Sequence, residues 1–182
     1  MEKLFLNLKF DDLWLKSAYQ SLPQNIKNYA DKKIDKFDRD VTIFEYTYIA
    51  NKLDVDLSLI KFGERGKPYF DGAKQFSISH SGNMLVVAIS KQPIGVDVQT
   101  ILPFSEALAK TICSEKEFEL IAKSKTPARE LTKLWTKKES LIKCKGEGFN
   151  QDLKTIFERN PNFKYKTKSG KNFELCVCKP IS

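Results

Sequence analysis

The sequence has 182 residues, 41% of them hydrophobic and 12% aromatic, enough apolar material for a packed interior, which excludes a disordered chain. Lys and Arg outnumber Asp and Glu by 31 to 23, a formal net charge of +8. That balance calls for an anionic partner: nucleic acid, a phosphorylated small molecule, an acidic protein or a membrane surface. No apolar run reaches the roughly 18 residues that a membrane helix needs.

In chain order, Lys3–Phe10 alternates apolar and polar residues and predicts a strand rather than a signal peptide. Leu22-Pro23 opens a helical stretch to about Phe37, and a second, buried helix follows from about Asp40 to Asn51. Next come a short strand and a turn at Gly63–Pro68. FSISHS and MLVVAIS flank Gly82-Asn83 and predict a hairpin. After a turn at Gln92-Pro93, IGVDVQ is a third strand, with Ile94, Val96 and Val98 on one face and Asp97 and Gln99 on the other. ILPFSEALAKTIC carries a short helix, and Ser114 with Glu117 forms a capping box for another. Thr126-Pro127 starts a long helix that runs to about Lys145, buries Leu131, Leu134, Trp135, Leu141 and Ile142, and stops at Gly146. From Asn150 to Ser182 a polar loop leads into one or two strands that end at FELCVCKP.

The cysteines, Cys113, Cys144, Cys176 and Cys178, contain no C-x-x-C spacing, and the one histidine, His80, is remote from them in sequence. The expectation is reduced, buried thiols in a cytoplasmic protein and no zinc site. G-x-S-x-G is absent, and the Gly63–Lys67 stretch lacks P-loop spacing. Oxygen donors remain. Asp97 inside an apolar strand, with Gln99 two residues on, offers a carboxylate and an amide to a hard cation such as Mg²⁺. Glu139 follows Trp135 by four residues and precedes Lys143 by four, so it reads either as a surface ion pair or as a second carboxylate beside a phosphate-binding lysine. His80 sits between Ser79 and Ser81, where two hydroxyls and an imidazole suit a phosphate.

Taken together and in order, GKP (Gly66–Pro68), FSISHSG (Phe76–Gly82), QPIGVDVQ (Gln92–Gln99) and LWTKKESLIKCKGEGF (Leu134–Phe149) resemble the Sfp-type 4′-phosphopantetheinyl transferases, which activate carrier proteins of peptide, polyketide and fatty-acid synthesis. The resemblance implies an α+β pseudo-dimer, two similar lobes each with a small antiparallel sheet on a long helix, here expected at 1–105 and 106–182. It implies transfer of the phosphopantetheine arm of coenzyme A to a serine of an acidic acyl or peptidyl carrier protein, with release of 3′,5′-ADP. The expected cofactor is Mg²⁺, with Mn²⁺ as the substitute, and the expected state is a cytoplasmic monomer that binds neither membrane nor nucleic acid.

Carried over residue by residue, the metal ligands would be Asp97, Gln99 and Glu139, and Lys143 would meet the pyrophosphate. Glu139 or a water would take the serine proton, which makes Glu139, Lys143 and Asp97 the catalytic set. Coenzyme A would lie on Lys67, Pro68, Ser79, His80, Lys138 and Lys143, with its 3′-phosphate on one or more of Lys27, Lys32, Lys33, Lys36 and Arg39. The chain departs from the family at Gln99, where a glutamate is usual, and after Gly148, where it is short. The Gln99 departure leaves open a relative that binds coenzyme A without transferring it, and the charge leaves open a nucleic-acid-binding module.

Overall fold

The computed structural model describes residues 2–148 and 151–181, so Phe149 and Asn150, the close of the last motif and the start of the expected polar loop, lie outside it. The first half runs β1 (Glu2–Phe5), α1 (Asp12–Ser21), α2 (Gln24–Asp31), α3 (Lys36–Leu53), a 3-10 turn (Leu57–Leu59), the short pair β2 (Lys61–Phe62) and β3 (Pro68–Tyr69), then β4 (Gln75–Ser81) and β5 (Met84–Ser90). The second half runs β6 (Gly95–Thr100), α4 (Glu106–Ile112), α5 (Glu115–Ala122), α6 (Pro127–Lys145), a 3-10 turn (Leu153–Thr155), α7 (Ile156–Arg159), β7 (Phe163–Ser169) and β8 (Phe173–Pro180).

The halves repeat one plan. Each opens with a strand, passes through two short helices into a long one, and closes with a hairpin. In each sheet the first strand pairs with the third, giving the orders β1-β5-β4 and β6-β8-β7, antiparallel throughout. The expected α+β pair of similar lobes is what the chain builds. β6 pairs with β8, so the chain passes from the first sheet to the second at residues 91–94.

Packing explains why the apolar run MLVVAIS is buried along nearly its whole length. Leu85, Val87 and Ile89 of β5 face a core with Val41, Ile43 and Ile49 of α3. Met84, Val86 and Ala88 face the other way, onto Ile94, onto Val96 and Val98 of β6, and onto Leu175 and Val177 of β8. A strand covered on both faces has no polar side to alternate with. The second core thus lies between the lobes and ties them into one unit.

Several local expectations need correction. The first strand ends at Phe5 rather than Phe10, because Asn7 takes a left-handed backbone (φ 54) and Asp11 then caps α1 by accepting the Trp14 N–H at 2.8 Å. The single helix expected to Phe37 is two, because Asp35 accepts the N–H groups of Phe37 and Asp38 at 2.8 and 3.1 Å and starts α3 there. Thr126 precedes Pro127 but makes no side-chain cap bond. Leu134 and Trp135 are only partly buried, whereas Leu131, Leu141 and Ile142 are core. The Ser114–Glu117 capping box, the Gly82-Asn83 hairpin and the Gly146 stop form as expected, Gly146 in the left-handed conformation that closes a helix (φ 72). Among the described residues no helix is long and apolar enough to cross a membrane. The four cysteines are unpaired and buried.

Candidate active site

The lobes meet along β4 and β6, and the join is made by side chains. Ser77, Ser79 and Ser81, alternate residues of β4, accept the backbone N–H groups of Val96, Val98 and Thr100, alternate residues of β6, at 3.1, 3.3 and 3.0 Å. Hydroxyl oxygens thereby do what carbonyls do inside a sheet. The next step is Gly95. A Cβ built there would stand 1.9 Å from the Ser140 carbonyl oxygen, 2.3 Å from the Cys144 nitrogen and 2.8 Å from its Cα. Only glycine lets α6 descend this far onto β6.

That descent brings Lys143 to Asp97. The ammonium donates to Asp97 Oδ1 at 2.8 Å and to Ser79 Oγ at 3.0 Å, and lies 3.8 Å from Glu139 Oε2 one turn earlier on α6. Ser79 in turn donates to Asp97 Oδ1 at 2.7 Å. Asp97 Oδ2 is buried with no hydrogen-bond partner. A carboxylate oxygen left bare inside a protein is costly, and such exceptions mark functional or ion sites. Burial lifts the Glu139 carboxyl to about 7, an effect that Lys143 opposes and Asp97 reinforces.

Beside this cluster is a cleft of about 730 Å³. Glu139 and Lys143 form one wall, with Ser79 and His80 next to them. Arg65, Lys67 and Pro68 form another, lying against the turn at Gly146 and Gly148. Tyr29 and Lys32 of α2, Glu45 and Tyr46 of α3, and Phe62 complete it. Cationic and aromatic groups around one concavity suit a ligand with phosphates and a flat ring.

The residues singled out in the sequence fall into distinct places. Asp97, Glu139 and Lys143 converge, although 46 positions separate Lys143 from Asp97. Gln99 shares Asp97's face of β6, opposite Glu174 of β8. Asp97 and Glu139, with the Gln99 amide, are chemically a hard-cation donor set, and the bare Asp97 oxygen fits that use. Among the described residues no third His, Cys, Asp or Glu joins them, so the set depends on that amide. Lys67 lines the cleft while its ammonium holds the Ile94 and Cys144 carbonyls at 3.1 and 3.2 Å, and burial lowers its pKa. His80 turns Nε2 to Asp38 at 3.5 Å and Nδ1 to Glu45 at 3.9 Å. Burial also pulls its pKa down, which favours a neutral ring.

Two of the residues named for coenzyme A are bonded within the chain. Lys138 does not face the cleft. It is completely buried, its ammonium bonded to the Ile112 carbonyl (2.7 Å), Glu117 Oε2 (2.6 Å) and the Leu153 carbonyl (2.8 Å). Its three donors are spent holding α4, α5 and the turn at Leu153 to α6, leaving nothing for phosphate. Ser79 lines the cleft, but its proton goes to Asp97 and its lone pairs to Val98 and Lys143, so its hydroxyl is equally full.

Of the five cations considered for a 3′-phosphate, Lys32 lines the cleft. Lys27 caps the Gln20 carbonyl, Lys36 pairs with Asp40, Arg39 pairs with Asp31, and Lys33 lies over the Tyr29 ring. The sequence reading missed Arg65 and Glu45. Arg65 stands one residue before GKP, close enough to be suspected. Glu45, the lone acid within the apolar VTIFEYTYIA, carried the same kind of signal as Asp97. Burial raises its carboxyl to about 8.

Comparison with known proteins agrees with this geometry. Residues 93–178, from just before β6 into β8, match the family model for the 4′-phosphopantetheinyl transferase superfamily. The chain is 33% identical over 120 residues to the 4′-phosphopantetheinyl transferase Sfp of Bacillus subtilis, covering 65% of this chain and 53% of that protein. It is 37% identical over 154 residues to the 4′-phosphopantetheinyl transferase gsp of Aneurinibacillus migulanus, covering 74% and 65%. A third relative is the L-aminoadipate-semialdehyde dehydrogenase-phosphopantetheinyl transferase of Saccharomyces cerevisiae, 32% identical over 107 residues, or 52% of this chain and 39% of that protein. The match to the first of these spans about half that relative's length. With Asp97, Glu139 and Lys143 gathered where two similar lobes meet, and with the family model running through all three, the chain is similar to the 4′-phosphopantetheinyl transferase superfamily over the residues that form this site.

Proposed function

We propose that this chain transfers the 4′-phosphopantetheine arm of coenzyme A to a serine of an apo acyl or peptidyl carrier protein, with Mg²⁺ or Mn²⁺ as cofactor. The observation that carries the reading is the unpaired, buried Asp97 Oδ2 beside Glu139 and Lys143 at the edge of a cationic cleft. Asp97, Glu139 and the Gln99 amide would hold the cation. When bound, the cation supplies positive charge to the pyrophosphate, where charge redistributes during transfer. Lys143, tethered by Asp97 and Ser79, holds its ammonium at the cleft wall, where the pyrophosphate would lie. The carrier serine oxygen forms a bond to the β-phosphorus, the bond from that phosphorus to the bridging oxygen breaks, and 3′,5′-ADP leaves. Glu139, on the cleft wall, or a water would take the serine proton.

Arg65, Lys32 and the Lys67–Pro68 stretch would bind the nucleotide end, and Tyr29 or Phe62 would meet the adenine ring. A carrier protein that is acidic would be drawn by the net charge of +8. Unpaired cysteines suit a reducing cytoplasm, and two lobes in one chain suit a monomer. Gln99 favours a second reading, a coenzyme A-binding relative without transfer. Incubation with coenzyme A, Mg²⁺ and a panel of apo carrier proteins, read by intact mass, separates them. Gain of one phosphopantetheine arm, abolished by EDTA, is expected. Coenzyme A binding with no gain on any carrier would replace the first reading with the second.

A further inference from the structure

We propose that the Ser79 hydroxyl positions Asp97 and is not a ligand of coenzyme A. This rests on reading the cleft as a site for coenzyme A and a divalent cation.

Two observations carry it. First, the Ser79 hydroxyl has one proton and two lone pairs, and all are committed inside the chain, to Asp97 Oδ1 at 2.7 Å, the Val98 N–H at 3.3 Å and the Lys143 ammonium at 3.0 Å. A phosphate oxygen needs a donor, and the only side-chain donor of Ser79 already points at Asp97. Secondly, the result of that commitment is asymmetric. Oδ1 of Asp97 receives both Ser79 and Lys143, whereas Oδ2 is buried without any partner. Held in this rotamer, the carboxylate offers one bare oxygen and cannot turn to satisfy both oxygens equally. Without the hydroxyl, Asp97 would be tethered by Lys143 alone, whose side chain is 30% exposed and long enough to move.

The seam between the lobes provides its own control. Ser77, Ser79 and Ser81 repeat the same bond to alternate N–H groups of β6, and of the three Ser79 is the one bonded to Asp97. Ser77 and Ser79 are equally buried, each 6% exposed. Loss of either hydroxyl therefore removes one seam bond from a closely similar environment, and only loss of Ser79 also frees the carboxylate.

The test compares Ser77→Ala, Ser79→Ala and Ser79→Thr in the whole chain by thermal melting and by calorimetric titration with coenzyme A, in EDTA and across a MgCl₂ series. Both alanine variants should melt lower than wild type by similar amounts. In EDTA both should bind coenzyme A as wild type does. Ser79→Ala alone should need about tenfold more MgCl₂ for half of the metal-dependent gain in coenzyme A affinity, the size of one hydrogen bond to a charged group. Ser79→Thr, which keeps the hydroxyl, should restore most of it. If Ser79→Ala weakens coenzyme A binding in EDTA and leaves the MgCl₂ dependence alone, Ser79 is a phosphate ligand and the proposal is wrong. If Ser77→Ala and Ser79→Ala shift the MgCl₂ dependence equally, Ser79 is only a seam bond. Should wild type bind coenzyme A with no effect of MgCl₂ at all, the metal reading of the cleft falls, and this proposal with it. A metal effect in wild type that Ser79→Ala leaves unchanged sinks the proposal alone.

Discussion

Glu45 gives the sharpest test of the electrostatics around the cleft. It sits on α3 with 7% exposure, faces His80 Nδ1 at 3.9 Å, and has its carboxyl raised by burial from an ordinary 4.5 to about 8, with Lys33 and Lys143 opposing the rise. An acid whose folded pKa lies above its unfolded one favours the folded state most when protonated. The folded chain then binds more protons than the unfolded chain, so stability falls as pH climbs from about 4.5 to about 8. At pH 7 the interval is about 2.5 pH units, each about 1.36 kcal/mol, so the wild-type residue costs about 3 kcal/mol relative to a permanently neutral group.

Glu45→Gln keeps the shape of the protonated acid and removes that cost. The variant and wild type should melt together near pH 4.5, and the variant should melt higher by roughly 6–12 °C at pH 7, taking about 2–4 °C per kcal/mol for a chain of this size. Differential scanning calorimetry of both proteins from pH 4.5 to 8 measures the gap. A gap that stays constant with pH, or a variant less stable than wild type at pH 7, would refute the argument, because either result requires Glu45 to be ionised in the folded chain or held by bonds that glutamine cannot make.

Three other substitutions test the rest of the site. Gly95→Ala forces a Cβ to within 1.9 Å of the Ser140 carbonyl oxygen, so α6 must lift off β6. We expect a loss of about 3 kcal/mol or more in urea unfolding, together with weaker coenzyme A binding, and a variant as stable as wild type would contradict the close approach. Lys138→Met should lower stability by about 3 kcal/mol, because it leaves Glu117 and two buried carbonyls without their donor, yet leave coenzyme A affinity unchanged. Loss of affinity with no loss of stability would restore Lys138 to the phosphates. Gln99→Glu should lower the Mg²⁺ concentration needed for transfer and, without metal, lower the melting temperature, since it sets a second carboxylate directly opposite Glu174. Complete loss of transfer would mean that the amide has a role of its own.

Much of the fold was legible where one signal dominated locally. The β4–β5 hairpin follows from two β-rich runs around Gly82-Asn83, and α6 from Pro127, a periodic apolar stripe and Gly146. α1 was missed because the apolar alternation of the first ten residues outweighed Asp11, whose carboxylate in fact caps the helix. The place where the chain changes sheets was not legible for a different reason. Strand β6 lies beside the hairpin in sequence but pairs with β8, nearly eighty residues on, and alternation names a strand without naming its partner.

The two adjacent residues Lys138 and Glu139 mark the limit of what sequence carries about the site. The resemblance made Glu139 a metal ligand and acceptor of the serine proton, and Lys138, its neighbour, a phosphate ligand. On a helix, neighbours point about 100° apart, so a face that presents Glu139 to the cleft turns Lys138 away from it. What Lys138 then meets is fixed by the ends of α4 and α5 and by the turn at Leu153, brought together from 15 to 26 positions away. Ser79 poses the same problem in a strand: its side of the strand was readable, but its partners, 18 and 64 positions away, were not. The identity of a polar residue says that it can bond. Only the closed fold says whether any of that capacity is left for a ligand, and here it leaves Asp97 Oδ2 bare while filling Ser79 and Lys138.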